Sequence, residues 1–164
     1  MAGARGIKYV VHFRRRREGR TDYAKRLALL KSGKPRMVVR KTNKRVIVQF
    51  VKPGAKGDET LATATTKELE KTGFPGKCNT PSAYLTGLLA GRKAREKGVS
   101  EFVLDIGLHA ATKGSIVFAA LKGAVDAGLK TRYSEEALPS QERVNGNRLN
   151  VSTQFEEARK KISA

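Results

Sequence analysis

The segment that most constrains the fold is a run of apolar residues, Val46-Ile47-Val48-Gln49-Phe50-Val51. A strand that is apolar on both faces belongs inside a sheet that is covered on both sides. Arg36–Lys41 also has the pattern of a strand, and the polar turn Thr42-Asn43-Lys44 after it predicts a hairpin. The sheet is therefore expected to contain an antiparallel pair.

Four segments carry the signals of helices. Thr21 and Asp22 are good N-caps, and Tyr23, Leu27 and Leu30 follow at the i, i+4, i+7 spacing of an apolar helix face. The other three begin with a capping box at Thr65 and Glu68, with Thr80-Pro81, and with a cap at Ser115. The predicted helices run from residue 21 or 22 to 30, from 65 to 72, from Thr80 as N-cap to Lys97, and from Ile116 to Ala127.

The remaining strands are predicted from short apolar segments. Glu101–Ile106 is nearly all apolar and is expected to be central, Glu59–Ala64 is weaker, and Leu129–Tyr133 is expected at an edge. Five strands alternating with helices predict an α/β domain with a mixed sheet. Gly87 and Gly91 share one side of the longest helix and would let it approach the sheet closely.

The two ends of the chain differ from its middle. Residues 1–20 are expected to form a basic N-terminal arm, residues 21–133 the α/β core, and residues 134–164 a C-terminal extension. Past residue 145 the chain is polar, and at most a marginal helix is expected at 155–162.

Four consecutive arginines, Arg14–Arg17, dominate the charge distribution. Residues 1–50 hold 16 lysines and arginines against two acids, whereas residues 51–164 hold 18 against 13. One-sided positive charge of this size is typical of nucleic-acid binders. An anionic membrane surface is the rival partner, but basic membrane helices carry an aromatic or leucine face that this run lacks.

Cysteine content and hydropathy bear on the compartment. A single cysteine, Cys78, rules out an internal disulfide and fits a reducing compartment. No run of 18 apolar residues is present, and residues 1–20 lack the apolar segment of a secretory signal. Neither a membrane segment nor secretion is expected.

Signals for catalysis are weak. Asp105 ends a predicted strand, where α/β enzymes place catalytic carboxylates, but a carboxylate bonded to amides of the next loop is the favoured interpretation. His109 is interpreted as a hydrogen-bonding loop residue and Cys78 as a loop or packing residue. No catalytic residue, metal site or cofactor is expected.

The loop from Gly107 to Ser115 invites comparison with a phosphate-binding P-loop. It departs from the pattern G-x-x-x-x-G-K-[ST] at Thr112 and Gly114. It still joins a strand to a helix N-terminus and is expected to offer Lys113 and backbone amides to one phosphate of a polynucleotide.

Several long motifs, in order, closely resemble the family of large-subunit ribosomal protein eighteen, in its archaeal form; the eukaryotic relative is called large-subunit protein five. The resemblance covers roughly residues 8–145. The motifs are FRRRREGRTDY at 13–23, RL at 26–27, LLKSGKPR at 29–36, RKTNK at 40–44, TPSAYLTGLLAG at 80–91, LDIGLH at 104–109 and VFAALKGAVDAGL at 117–129.

The resemblance implies a non-catalytic structural protein of the large ribosomal subunit, and hence a cytoplasmic location. It implies binding to 5S rRNA and attachment of that RNA to 23S rRNA at the central protuberance. A second ribosomal protein, also named large-subunit protein five, and other proteins of the protuberance are the implied neighbours. The implied fold is a three-layer α/β sandwich with a five-stranded mixed sheet of the ribonuclease-H-like type. No membrane or small-molecule partner is implied.

Candidate RNA contacts are basic residues and the aromatic residues between them. Arginines pair bidentately with phosphates, and Tyr9, Phe13 and Tyr23 suit stacking on unpaired bases. The family's pattern adds the loop after residue 106, where Ala110 and Ile116 replace expected basic residues. The candidates are Arg14, Arg15, Arg16, Arg17, Arg20, Tyr23, Arg26, Arg36, Arg40, Lys41, Lys44, Arg45, His109, Thr112 and Lys113.

Two other functional classes stay open on the residues alone. An RNA-processing enzyme with a ribonuclease-H-like fold needs clustered metal-binding carboxylates, for which the sheet offers Asp58, Glu59, Glu101 and Asp105. A basic binder of membrane surfaces or chromatin would show no preference for 5S rRNA over any other duplex.

Overall fold

A computed structural model describes residues 6–7, 9–55 and 57–163. Its strands and helices form an α/β domain with a mixed sheet, which confirms the predicted class. The elements are α1 (Arg14–Arg17), α2 (Tyr23–Leu30), β1 (Arg36–Lys41), β2 (Val46–Gly54), β3 (Gly57–Thr65), a 3-10 helix (Thr66–Thr72), α3 (Thr80–Glu96), β4 (Val103–Asp105), α4 (Ile116–Asp126), a 3-10 helix (Glu135–Ala137), α5 (Gln141–Asn145), a 3-10 helix (Asn147–Leu149) and α6 (Ser152–Ser163).

The sheet has the order β3-β2-β1-β4. β2 lies between β1 and β3 and is antiparallel to both, whereas β4 is parallel to β1. The predicted hairpin and the interior position of β2 are therefore confirmed. Met37 pairs with Phe50 and Val39 with Val48, and all four side chains are completely buried.

The described residues form four strands rather than the predicted five. The segment expected to be a fifth strand contributes one isolated parallel bridge, between Glu101 and Lys130. β4 is shorter than predicted and lies at the edge of the sheet, not at its centre. Phe102 and Leu129 are 1% and 2% exposed, so the apolar pattern of these segments reflects burial in the core rather than extended strand pairing.

Helix starts follow the predicted signals with three differences, one of which is that Ser115 precedes α4 as predicted but its hydroxyl makes no capping hydrogen bond. The Asp22 side chain caps α2, and Thr65 and Glu68 form the predicted capping box. The helix after that box is of the 3-10 type, and the cap of α3 is Asn79, whose side chain accepts from the Ser82 amide, rather than Thr80.

α3 and α4 cover one face of the sheet and pack tightly against each other. Gly87 and Gly123 make this possible, because a Cβ atom on either would overlap with backbone of the facing helix. A Cβ atom on Gly91 would come within 2.7 Å of the Ala127 Cβ. The two predicted glycines thus allow close approach to a helix, not to a sheet.

The C-terminal segment is a full helix rather than the expected marginal one. α6 buries Phe155, Ala158 and Ile162, which belong to the same core as the sheet. The Phe155 ring lies 5.6 Å from the ring of Tyr84, whose hydroxyl donates to Asp126 Oδ2 at 2.6 Å. These three residues form an apolar helix face that packs on α3, although the sequence between them is polar.

We expect Gly123→Ala to lower the free energy of unfolding by about 3 kcal/mol or more, because the new Cβ forces α3 and α4 apart. Alanine favours an isolated helix by about 1 kcal/mol over glycine. A lower free energy of unfolding must therefore come from the contact between α3 and α4. The measurement is urea unfolding. The matched control is Gly98→Ala, where nothing lies within 4 Å; its positive φ alone costs about 1–2 kcal/mol. Equal losses in both variants would contradict the close helix contact.

Phe155→Ala should lower the free energy of unfolding by about 3–5 kcal/mol, the usual cost of emptying a buried aromatic position. Guanidinium unfolding followed by circular dichroism measures it. Leu149→Ala is the comparison, since Leu149 is 51% exposed and its truncation should cost about 0.5 kcal/mol or less. A small effect of Phe155→Ala would mean that α6 is not part of the core.

Candidate nucleic-acid interface

The arginine run forms one helical turn, α1, whose side chains are all exposed. The turn is held against α2 by an aromatic pair, because the rings of Phe13 and Tyr23 lie 5.3 Å apart. Phe13 is nevertheless 72% exposed and Tyr23 is half-buried. The arginine run is thus an exposed helical turn that is attached to α2 through this ring pair.

The cations of this turn differ in their partners. Glu18 pairs with Arg14 at 3.4 Å and with Arg20 at 3.2 Å. Arg15 Nε donates to Thr21 Oγ1 at 2.9 Å. Arg16 and Arg17 make no ion pair within the described part of the chain, and their guanidinium groups point their donors to solvent.

α2 does not bury the apolar stripe predicted for it. None of its residues is fully buried, and Leu27 is 56% exposed. Arg26, on the same helix, reaches Asp58 with 2.9 Å between Nη2 and Oδ2. Polar contacts rather than apolar packing therefore attach α2 to the sheet.

The β1–β2 hairpin presents Lys41, Lys44 and Arg45 to solvent. Its turn is closed by Thr42, whose amide and hydroxyl both donate to the carbonyl oxygen of Arg45. His109 accepts from the backbone amide of Lys41 at 3.3 Å. This confirms the interpretation of His109 as a hydrogen-bonding loop residue and joins the hairpin to the loop after β4.

Arg36 occupies a different environment from the other candidates. Its side chain is 3% exposed and lies between two carboxylates, with Nη1 2.8 Å from Asp105 and Nη2 2.6 Å from Asp58. A guanidinium in this position cannot reach an external phosphate. Arg36 is therefore not carried into the proposed interface, although the sequence pattern grouped it with the hairpin.

Asp105 is the second centre of this network. Its Oδ1 accepts from the Gly107 amide at 2.9 Å, which confirms the predicted bond to the next loop. The same oxygen accepts from Arg40 at 3.1 Å, and Arg40 keeps 42% of its side chain exposed. Two of the four carboxylates named as possible metal ligands, Asp58 and Asp105, are thus both bound by Arg36. Sequence reasoning did not predict the pairing of Asp58 with Arg26 and Arg36.

The loop from Gly107 to Ser115 offers fewer free amides than expected. The amides of Gly107, His109, Gly114 and Ser115 donate to acceptors within the protein. Lys113 pairs with Glu136 at 2.6 Å, both largely exposed, and Thr112 is exposed. The expectation of a phosphate seat built from open backbone amides is wrong at these four positions.

A cleft of about 720 Å³ separates α2 from the open face of the sheet. Arg15, Arg20 and Arg26 line it on the side of the arm, and Arg40 and His109 line it on the side of the sheet. With the buried Arg36, the structure therefore brings six of the predicted RNA contacts around one concave surface, which the arginine turn and the hairpin flank.

Two further findings concern the rest of the chain. Cys78 packs against the core, and its partial burial raises the pKa of its thiol, as expected for a packing cysteine. Of the helices in the described residues, none has the length and apolar content needed to cross a bilayer.

Comparisons with known proteins identify the family. The family model described as ribosomal large subunit proteins 60S L5 and 50S L18 matches residues 7–100 and 93–134. The chain is 56% identical over 147 residues to large ribosomal subunit protein uL18 of Korarchaeum cryptofilum, covering 89% of this chain and 75% of that protein. It is 54% identical over 147 residues to uL18 of Methanoregula boonei, covering 89% and 84%. The match to uL18 of Methanoculleus marisnigri is 56% over 144 residues, covering 87% and 82%.

The chain therefore belongs to the L5/L18 family of large-subunit ribosomal proteins, in its archaeal uL18 form. The resemblance found in the sequence is confirmed. The family defines a structural component of the large ribosomal subunit and not an enzyme. Its location is the ribosome.

Asp105→Asn should lower the free energy of unfolding by about 3 kcal/mol or more. The amide leaves the buried Arg36 guanidinium with one carboxylate, and breaking a buried ion pair from one side is costly. Urea unfolding measures the loss. Glu136→Gln breaks the exposed pair with Lys113 and should change stability by less than about 1 kcal/mol. If the two variants were equally stable, the buried network would not hold the fold.

Proposed function

We propose that this protein binds 5S rRNA and helps to attach it to 23S rRNA at the central protuberance of the large subunit. Its further partners are a neighbouring protein named large-subunit protein five and other proteins of the protuberance. The archaeal uL18 relatives support the ribosomal role, and the motifs at residues 13–23 and 40–44 carry the resemblance to 5S rRNA-binding members.

The observation that carries the proposal is the exposed arginine turn, held by the Phe13–Tyr23 ring pair beside a second basic surface. Guanidinium groups that are free of protein carboxylates bind phosphates without first breaking an internal pair. Arg16 and Arg17 meet this condition within the described residues, and Lys44 and Arg45 add exposed charge on the hairpin. The positive surface is thus concentrated where α1, the hairpin and the cleft meet.

The proposed RNA-contact set follows from exposure and partners. Arg40 and Arg26 remain in it because 42% and 40% of their side chains are exposed. His109, Thr112 and Lys113 form a weaker rim, since the loop amides are occupied. The set is Arg14, Arg15, Arg16, Arg17, Arg20, Tyr23, Arg26, Arg40, Lys41, Lys44, Arg45, His109, Thr112 and Lys113.

We also infer that the core is a three-layer sandwich of the ribonuclease-H-like type. Support comes from the antiparallel β1–β2–β3 unit with β4 parallel to β1, and from α3 and α4 on one face with α2 over the other. The Glu101–Lys130 bridge lies beyond β4, where a fifth strand would pair. Residues 1–20, 21–133 and 134–164 remain the proposed arm, α/β core and extension, and α6 of the extension packs into the same hydrophobic core.

Replacing Arg14–Arg17 by alanine should weaken binding to 5S rRNA and flatten its salt dependence. Each lost phosphate contact lowers the slope of log K against log salt by about 0.7–0.9, so a change of about 2–4 is expected. Filter binding at salt concentrations from about 50 to about 300 mM measures the affinity and the slope of log K against log salt.

The matched control replaces the same four arginines by lysine. Charge is retained, so the slope should hardly change, while bidentate geometry is lost and affinity falls by a smaller factor. A competing duplex RNA of unrelated sequence tests specificity. An unchanged affinity and slope in the alanine variant, or equal binding of 5S rRNA and the competitor, would contradict the proposal.

A further inference from the structure

We propose that the cleft between α2 and the sheet receives one unpaired nucleotide of the bound RNA. The inference rests on the proposed RNA-binding function and names the chemical group that this surface takes. The arginine turn is exposed, whereas this site is concave and lies between α2 and the sheet.

Charge complementarity favours a nucleotide as the occupant. Six basic side chains line the cleft against three carboxylates. All three carboxylates already pair with arginine or lysine: Asp22 with Lys25, and Asp58 and Asp105 with the arginine network. Arg15 and Arg20 on the arm side are largely exposed, so a phosphate at the mouth of the cleft meets guanidinium groups.

The walls of the cleft suit a planar base. Apolar side chains come from both layers, with Leu29 on α2 facing the side of the sheet that carries Val38 on β1 and Leu104 on β4. The volume of about 720 Å³ falls within the roughly 300–1,000 Å³ of pockets that enclose small organic ligands. Proteins read unpaired RNA bases by stacking them on aromatic rings or guanidinium planes and bonding their edges, and Arg40 and His109 line the same cleft.

Polar side chains of Arg36 and Gln49 form part of the cleft wall. Arg36 lines the cleft, and its two terminal nitrogens are bound by Asp58 and Asp105. Its Nε has no hydrogen-bond partner although it is fully buried. Buried polar groups are normally satisfied, so this nitrogen is an exception below the surface of the cleft. Gln49, which pairs with Val38 across the sheet, offers a second polar group in the same cleft.

The occupant must also explain why α2 stands away from the sheet. α2 buries none of its residues fully, and Leu29 is only partly buried although it faces apolar side chains across the cleft. An apolar surface that is left open next to a basic rim is typical of a ligand site. A base between the layers would cover it without disturbing the ion pairs of Arg26 and Arg36.

The test is binding of 5S rRNA to Val38→Phe, in which a larger side chain occupies the part of the cleft where the base is proposed to lie. We expect affinity to fall by about 5–150-fold, the effect of losing one base contact, with the slope of log K against log salt changed by less than about 0.5, because the phosphate contacts of α1 remain. Leu149→Phe is the matched control, since Leu149 is 51% exposed and lies outside the cleft; its affinity should equal that of the wild type.

The outcomes separate the two proposals. A wild-type protein without preference for 5S rRNA contradicts the proposed function. A wild-type protein that binds 5S rRNA, together with a folded Val38→Phe that binds equally well, overturns the cleft proposal alone. That result is also the one expected if a protein segment occupies the cleft.

A second measurement uses the unaltered protein and so does not depend on how Val38→Phe folds. 5S rRNA containing 4-thiouridine and 6-thioguanosine is irradiated in the complex, and the crosslinked peptides are mapped by mass spectrometry. Crosslinks within residues 36–40, 49–51 or 104–108 support the inference. Crosslinks confined to the arginine turn and the tip of the hairpin overturn it.

Discussion

The buried guanidinium of Arg36 is the interaction on which the rest of the structure depends. It bonds to Asp58 at the start of β3 and to Asp105 at the end of β4, the two outer strands of the sheet. A buried charge is stable only when its partners are in place. Each of those carboxylates binds one more arginine, Arg26 on α2 and Arg40 on β1. One side chain thereby fixes the width of the sheet, the position of α2 and the direction of two exposed cations.

This arrangement gives the cations of the interface two different physical roles. Arg26 and Arg40 are already ordered by carboxylates, so their side chains lose little rotamer freedom when they meet a phosphate. Arg16 and Arg17 have no such partner among the described residues and retain full charge for long-range attraction. In the proposed RNA complex, the first pair would therefore favour a defined orientation of the RNA, and the second would favour rapid encounter with it.

Local signals in the sequence predicted the elements well. The Asp22 cap, the capping box at Thr65 and the hairpin depend on residues a few positions apart, and the structure contains all three. Arg36 and Arg40 could not be told apart in this way, because they lie on one strand and their partners are 22 to 69 residues distant. The sequence also could not show which element packs on Gly87, because either a helix or a sheet can lie against a glycine.

The docking of α6 has a consequence for the order of events during synthesis. Phe155, Ala158 and Ile162 complete a core whose other members come from β1 through α5. A growing chain therefore holds an incomplete core until this last described helix has been made, whereas the arginine turn is made before any strand. Basic residues able to meet RNA thus exist well before the domain that orients them is closed, which separates early electrostatic capture from later exact positioning.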